Sequence, residues 1–322
     1  MVYSSKIINF VLIVLVLPFV LVFTSMFLYK TTYTTGLFNE NSHREQYENS
    51  VYKYRIAGSY LLLEIYDLIK DSKLSAFKTW DKRLNLSGTD PNYNLAFYLS
   101  YVILTLFFWI LCNLVLYILY LKNKLNNPSG AIISINFLLL IGNFVITPYD
   151  LPSYFFILLA LALFNSKNNI LNMSLIIILA TLFRESSALI ISSFVSYQYI
   201  IRKENIITSF KKSIPLIISF LIIYFGVRMF LGDLIFSEGF KENTGFRYIY
   251  QLLFVFSFFG ILMMNVSKYF KNLIYIFLIL SLPYIFTIFY SGLMVELRLT
   301  IPIFLIIVIF KEFKIFNLEL KQ

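Results

Sequence analysis

The chain has 322 residues, 59% of them hydrophobic and 14% charged, with mean hydropathy +0.77 and a formal net charge of +10. Soluble domains carry about 25% charged residues, so this composition excludes an ordinary water-soluble domain and predicts an all-α polytopic integral membrane protein. No Pro- or Gly-rich linker and no internal repeat divides it, so residues 1–322 are read as one membrane domain.

In chain order, residues 7–29 are too long for the apolar core of a secretion signal and lack a small-x-small cleavage site. They are read as a retained first helix. Residues 30–94 form a long polar loop. Within it, 55–70 has apolar residues at Ile56, Tyr60, Leu61, Leu63 and Ile65, which predicts an amphipathic helix on the membrane surface or among the spans. Apolar runs follow near 95–121, 131–147, 151–165, 169–183, 186–201, 213–231, 248–266, 272–290 and 299–310. With the first helix this predicts about ten spans, several shorter than the ~20 residues a perpendicular helix needs.

Basic residues orient the chain. With the N-terminus inside, the cytoplasmic pieces carry Lys6, Lys122, Lys124, Lys167, Arg202, Lys203, Lys211, Lys212, Lys268, Lys271, Lys311, Lys314 and Lys321. The short outer loops carry only Arg184, Arg228, Lys241, Arg247 and Arg298. The positive-inside rule therefore puts both termini in the cytoplasm and residues 30–94 outside. The basic residues are spread in ones and twos along a membrane face, which argues against nucleic acid as a partner and for membrane lipids.

Four outer-face motifs stand out. "YKYRIAGSYLL" (52–62) carries Arg55, and "TPYDLPSY" (147–154) sets Asp150 between two prolines. "TLFRESSALI" (181–190) places Arg184 and Glu185 side by side, and "SGLMVELRLTIP" (291–302) holds Glu296 and Arg298. The stretch 169–201 would span about 50 Å as one helix, too long for one crossing and short for two, which predicts a tight hairpin with its tip at Arg184. Each motif alone reads as a helix cap or an interfacial anchor. Together they predict an outward-opening polar cavity, with Arg184 and Glu185 serving different partners, since adjacent helical residues do not face each other.

That residue set suits a lipid-linked sugar donor. Arginine forks bind phosphate oxygens and steady a leaving group, and a carboxylate can take the proton of an attacking hydroxyl. Cys112 is the only cysteine, which excludes an intrachain disulfide, and there is no Walker loop or GxGxxG. His43 is the only histidine and is read as excluding serine triads, cysteine–histidine dyads and histidine metal sites, so neither a metal nor a cofactor is expected.

The four motifs, in this order, resemble those of bacterial polytopic proteins related to the GT-C glycosyltransferases and to surface-polysaccharide polymerases, over about residues 50–310. The resemblance implies an all-helical membrane fold, a polyprenyl-(di)phosphate-linked sugar donor, a glycan or lipid acceptor and catalysis on the outer face. The first outer loop departs from the GT-C pattern, having no D-x-D or E-x-D, only scattered carboxylates such as Glu40, Glu45, Glu48, Glu64 and Asp67. Glu48, closest before "YKYR", is the preferred base, with Asp150 and Glu185 as the other catalytic candidates. Arg55, Arg184, Glu296 and Arg298 are the substrate-binding candidates. A transporter or flippase of a lipid-linked or charged solute, and a non-catalytic subunit of a polysaccharide-assembly complex, stand as alternatives.

Overall fold

A computed structural model describes residues 2–28, 39–48, 50–72, 94–164, 170–232, 247–264, 266–291 and 297–316. Among the described residues the fold is all-helical, with one isolated antiparallel bridge between Leu125 and Phe313. The elements are α1 (Lys6–Phe27), α2 (Glu40–Glu48), α3 (Ile56–Ile69), α4 (Leu95–Leu121), α5 (Pro128–Gly142), α6 (Asp150–Ala162), α7 (Ile170–Phe183), α8 (Ala188–Ser196), α9 (Ile206–Leu231), α10 (Arg247–Met263), α11 (Lys268–Leu280), α12 (Leu282–Ser291) and α13 (Ile301–Glu312).

Three of these helices, α1, α4 and α9, are long and apolar enough to cross a membrane, and the bent pair α11–α12 would make a fourth. Each predicted apolar run contains a helix, but helices such as α5, α6 and α7 are shorter than a bilayer crossing requires. Their hydropathy answers to protein as well as to lipid. In α13 all ten residues from Ile301 to Phe310 are buried, whereas α9 exposes Ile214, Ile218, Ile222, Phe225, Met229 and Phe230. Apolarity alone cannot tell a helix wrapped by neighbours from one facing lipid tails.

Two boundaries differ from the sequence reading for local reasons. Helix α9 starts at Ile206 rather than 213 because Asn205 caps it, its side chain accepting from Thr208 N–H at 2.7 Å; Lys211 and Lys212 sit exposed on the first turns. The run at 272–290 is not one helix but bends by 60° between Leu280 and Leu282. Pro283 cannot donate, and its ring crowds the preceding turn. Ser192 on α8 donates to the Leu280 carbonyl at 3.1 Å, satisfying backbone at the break.

Polar side chains tie helices together where hydrocarbon would leave them unsatisfied. Trp109 and Asn113 of α4 donate to Asn136 Oδ1 of α5 at 2.8 and 3.0 Å, and Asn136 Nδ2 donates back to Asn113 Oδ1 at 2.9 Å. Tyr117 donates to the Lys6 carbonyl at 2.8 Å, and Tyr98 donates to the Met26 carbonyl, so α4 grips α1 near both ends. Inter-helical hydrogen bonds of this kind contribute about 0.6–2 kcal/mol each.

The chain reverses at Arg184. Ser153 meets Ser186 at 2.8 Å and Phe164 packs on Tyr197, so α8 runs in the same direction as α6. Helix α7 begins just after α6 ends and brings Phe183 back to Phe156, 5.6 Å between ring centroids, so it runs opposite. Arg184 itself is extended, with φ −164° and ψ 145°, and a 3-10 turn over Glu185–Ser187 restarts the chain. One long helix through 169–201 is thereby excluded.

Candidate functional site

Five helix ends converge at the end of the bundle marked by Arg184. Helix α6 opens with Asp150, whose N–H donates to Thr147 Oγ1 at 3.3 Å. Arg184 closes α7 and Arg228 lies in the last turn of α9. Arg298 sits in the 3-10 turn Leu297–Leu299 ahead of α13, and Arg55 stands between the 3-10 turn Val51–Tyr54 and α3. The opposite end of α13 lies in a lysine-rich clasp. There Asn126 N–H donates to Glu312 O at 2.7 Å, Lys314 N–H to Lys124 O at 2.9 Å, and Lys314 Nζ to Asn123 Oδ1 at 2.8 Å.

The charges at the first end form two linked groups. In the inner one, Asp150 receives Arg184 on Oδ1 and Arg298 on Oδ2, the latter at 3.3 Å. All three side chains are at most 4% exposed. Arg298 also donates to the Tyr52 hydroxyl at 3.0 Å, and Tyr154 donates to the Arg298 carbonyl at 3.1 Å. A carboxylate this deep persists as an anion because two guanidiniums face it.

The outer group is built on Glu185. Arg55 reaches its Oε2 through Nε and Nη2, both at 3.2 Å, and Arg228 reaches its Oε1 at 3.2 Å. Aromatic rings brace both arginines. Arg55 lies 5.1 Å from the Tyr52 ring centroid and 5.2 Å from that of Tyr149, and the two rings stack at 5.4 Å. Arg228 lies 4.5 Å from Tyr54 and 3.6 Å from Tyr224, and donates to the Tyr224 carbonyl at 3.1 Å. Burial pushes the Glu185 carboxyl upward, but Arg55, a backbone hydrogen bond and Arg228 outweigh it and hold the group below the ordinary carboxylate range. Glu185 is therefore an anion and a poor proton acceptor at neutral pH.

The structure thus brings Arg55, Asp150, Arg184, Glu185 and Arg298 into one network, with Arg184 and Glu185 serving different partners. Glu296 lies outside the described residues. Glu48 is the last residue of α2, and the placement of its side chain also lies outside the described part. The sequence reading missed Arg228 as a member. Its signal was present: it is the one charge in "LIIYFGVRMFL", and such a residue needs a partner. The tyrosines at 52, 54, 149 and 224 were missed because aromatics are common in this chain.

The single histidine, read from the sequence as excluding a serine triad, does lie against a serine. His43 Nε2 lies 2.6 Å from Ser59 Oγ, and Nδ1 lies 3.1 Å from the Tyr101 hydroxyl. His43 and Ser59 are 3% and 2% exposed, so a substrate has no access to the hydroxyl and the pair joins α2 to α3 and α4. Among the described residues no cluster of three His, Cys, Asp or Glu side chains is arranged to hold a metal.

Close backbone contact sets the position of α3. A Cβ added at Gly58 would stand 2.7 Å from the Pro148 carbonyl oxygen, which is backbone and cannot swing aside. Gly58→Ala is expected to push α3 off the Pro148–Asp150 turn, costing about 1–3 kcal/mol by overpacking. A thermal-unfolding series in detergent checks this, and an unchanged midpoint would show that the turn yields.

Four guanidiniums and two carboxylates are gathered at one end of a helical bundle. Arginine forks suit anions that present their oxygens in pairs. No known family, curated protein or solved structure matches this chain.

Proposed function

We propose that this protein is a multi-pass enzyme of a bacterial cytoplasmic membrane. It transfers a glycosyl unit from a polyprenyl-(di)phosphate-linked donor to a glycan or lipid acceptor on the outer face, in surface-polysaccharide synthesis. The observation that carries the reading is the arginine-rich network joining motifs far apart in sequence at one end of the bundle, opposite the lysine-rich clasp. In this reading the ten apolar runs insert together, the short helices screened by the long ones, with both termini and the clasp inside. Residues 30–94 lie outside, and partners of a polysaccharide-assembly machine act beside it.

The chemistry follows from the residue types. The acceptor oxygen forms a bond to the anomeric carbon as the carbon–oxygen bond to phosphate breaks, and the electron pair leaves on the phosphate oxygen. Arginines neutralise that developing charge. The acceptor proton goes to a carboxylate, and Glu48 takes this role. It ends α2 two residues before Ser50, which caps the turn carrying Tyr52, and five residues downstream of Tyr52's cap lies Arg55. Asp150 and Glu185, each held by arginines, position those arginines.

Two measurements test the reading. A cysteine placed at Gly88 is expected to react with an impermeant reagent in intact cells, while one at Asn126 stays unlabelled; the reverse pattern would remove the outer-face site. In a deletion strain, Glu48→Gln is expected to abolish polysaccharide formation at normal membrane abundance. Full complementation would sink Glu48 as the base.

One feature favours the transporter alternative. The 60° break between α11 and α12 resembles the interrupted helices that line solute sites. Donor-lipid flipping in proteoliposomes containing only this protein would establish that reading over transfer.

A further inference from the structure

The two halves of the network differ in access. Arg184 and Arg298 are almost fully buried and both face Asp150, so neither offers its charge to an incoming ligand. Arg55, Arg228 and Glu185 are 12%, 16% and 26% exposed. Their contacts, all 3.2 Å, are longer than the roughly 2.7–2.9 Å of tight charge-assisted pairs. The buried Arg298–Asp150 contact is as long, at 3.3 Å, so what sets the outer pairs apart is that they are both long and partly open to solvent.

The two outer arginines are also held without Glu185. Tyr52 and Tyr149 flank Arg55, while Tyr54, Tyr224 and the Tyr224 carbonyl hold Arg228. Cation–π contacts favour both guanidiniums in place, and the C-terminal turn of α9 favours Arg228 as well. Removing the carboxylate therefore leaves a preformed pair of forks. The neighbouring end of α9 presents Met229 and Phe230, 83% and 89% exposed, so an apolar chain on the ligand has a surface to follow to Arg228.

We propose that Arg55 and Arg228 form the seat for a phosphate or diphosphate ester, and that Glu185 occupies this seat as a built-in anion which the ligand's phosphate displaces. A diphosphate-linked donor carries about two charges, one on each phosphate, with free oxygens on both, against one charge and two oxygens on Glu185, so it can engage both forks more fully. Displaced Glu185 swings toward solvent. The inference rests on the reading of the ligand as a phosphate ester; among the substrate-binding candidates it keeps Arg55, adds Arg228 and takes the role from Arg184. Arg184 becomes a positioning residue that holds Asp150.

The test is binding to the full chain in nanodiscs, with farnesyl diphosphate and inorganic pyrophosphate as probes. Arg55→Gln and Arg228→Gln are each expected to weaken farnesyl diphosphate binding about tenfold or more, and Arg228→Lys to weaken it as well because the fork is lost. Glu185→Gln is expected to tighten binding severalfold, since the competing anion is gone. That gain is a result a merely structural glutamate would not give. Lys211→Gln, on the opposite side, leaves binding unchanged. Wild-type affinity in Arg228→Gln, or unchanged or weaker binding in Glu185→Gln, overturns the proposal. Should Arg228→Gln fail to accumulate, Arg228→Lys and Glu185→Gln decide. Preference for farnesyl diphosphate supports a lipid-linked source, and equal binding of pyrophosphate supports the same seat for a soluble phosphate. Binding as expected without any role in glycan formation would sink glycosyl transfer and leave the seat. Glycan formation that depends on the protein, with no probe bound, would sink the seat alone.

Discussion

Asp150→Ala is expected to remove most of the protein from the membrane. The carboxylate faces two guanidiniums that are themselves at most 3% exposed, and no solvent is near enough to replace it. Taking away one partner of a buried ion pair costs about 3–5 kcal/mol, because the charge left behind is uncompensated. Total stabilities of folded domains are about 5–15 kcal/mol, so the loss consumes a large share. Asp150→Asn keeps the shape and leaves both arginines charged, and it is expected to fall between the two. Replacing Asp150 and Arg184 together by Leu and Met removes a buried anion and a buried cation at once. It should recover part of the abundance that Asp150→Ala loses, with Arg298 still bonded to the Tyr52 hydroxyl. Membrane abundance and unfolding midpoint in detergent are the measurements. Normal abundance of an inactive Asp150→Ala protein would give Asp150 a direct chemical role, as the sequence reading assigned it.

The question posed by adjacent Arg184 and Glu185 has a geometric answer. An extended residue at the turn sends the two side chains to different companions, Arg184 into the bundle to Asp150 and Glu185 to Arg55 and Arg228. The pairing of unlike charges across a membrane protein was legible in the sequence, because lone charges in apolar runs need partners. Which charge met which was not legible. Asp150 and Arg298 are 148 positions apart, and only the packing of α6, α7 and α13 brings them together. The same limit applies to span number. The period of apolar residues marks where helices form, and it marked the positions of α4 and α6 to within a few residues. It carries no information on whether lipid or protein covers them, which is why buried α13 and exposed α9 read alike. Arg228 illustrates a third limit, since its role depends on Tyr54 and Glu185, which come from two other segments of chain.

Lowering the pH is expected to unfasten α2, through His43. Burial first, and then the neighbouring Arg44, lower the pKa of this histidine from 6.5 to about 4. The ring sits among Phe97, Tyr101 and Tyr47, and its two nitrogens meet Ser59 and Tyr101. The sign follows from proton counting. Between pH 6.5 and 4 the unfolded chain binds a proton that the folded one does not, so stability falls as pH falls. The contribution is fully present above pH 6.5 and is lost progressively until about pH 4, amounting to roughly 3 kcal/mol. His43→Asn has no titrating group and should flatten the dependence in that window, whatever it does to stability at pH 7. Unfolding midpoints at pH 7.5, 6 and 5 for the two proteins measure the difference. A wild-type slope no steeper than that of His43→Asn would mean that the ring stays hydrated and titrates normally. Because α2 ends at Glu48, the proposed base, the same loosening is expected, if the proposed glycosyl transfer holds, to reduce that activity at low pH before the helical bundle unfolds. In that case acid acts on the outer helix that positions the proposed base, rather than on the arginine network beneath it.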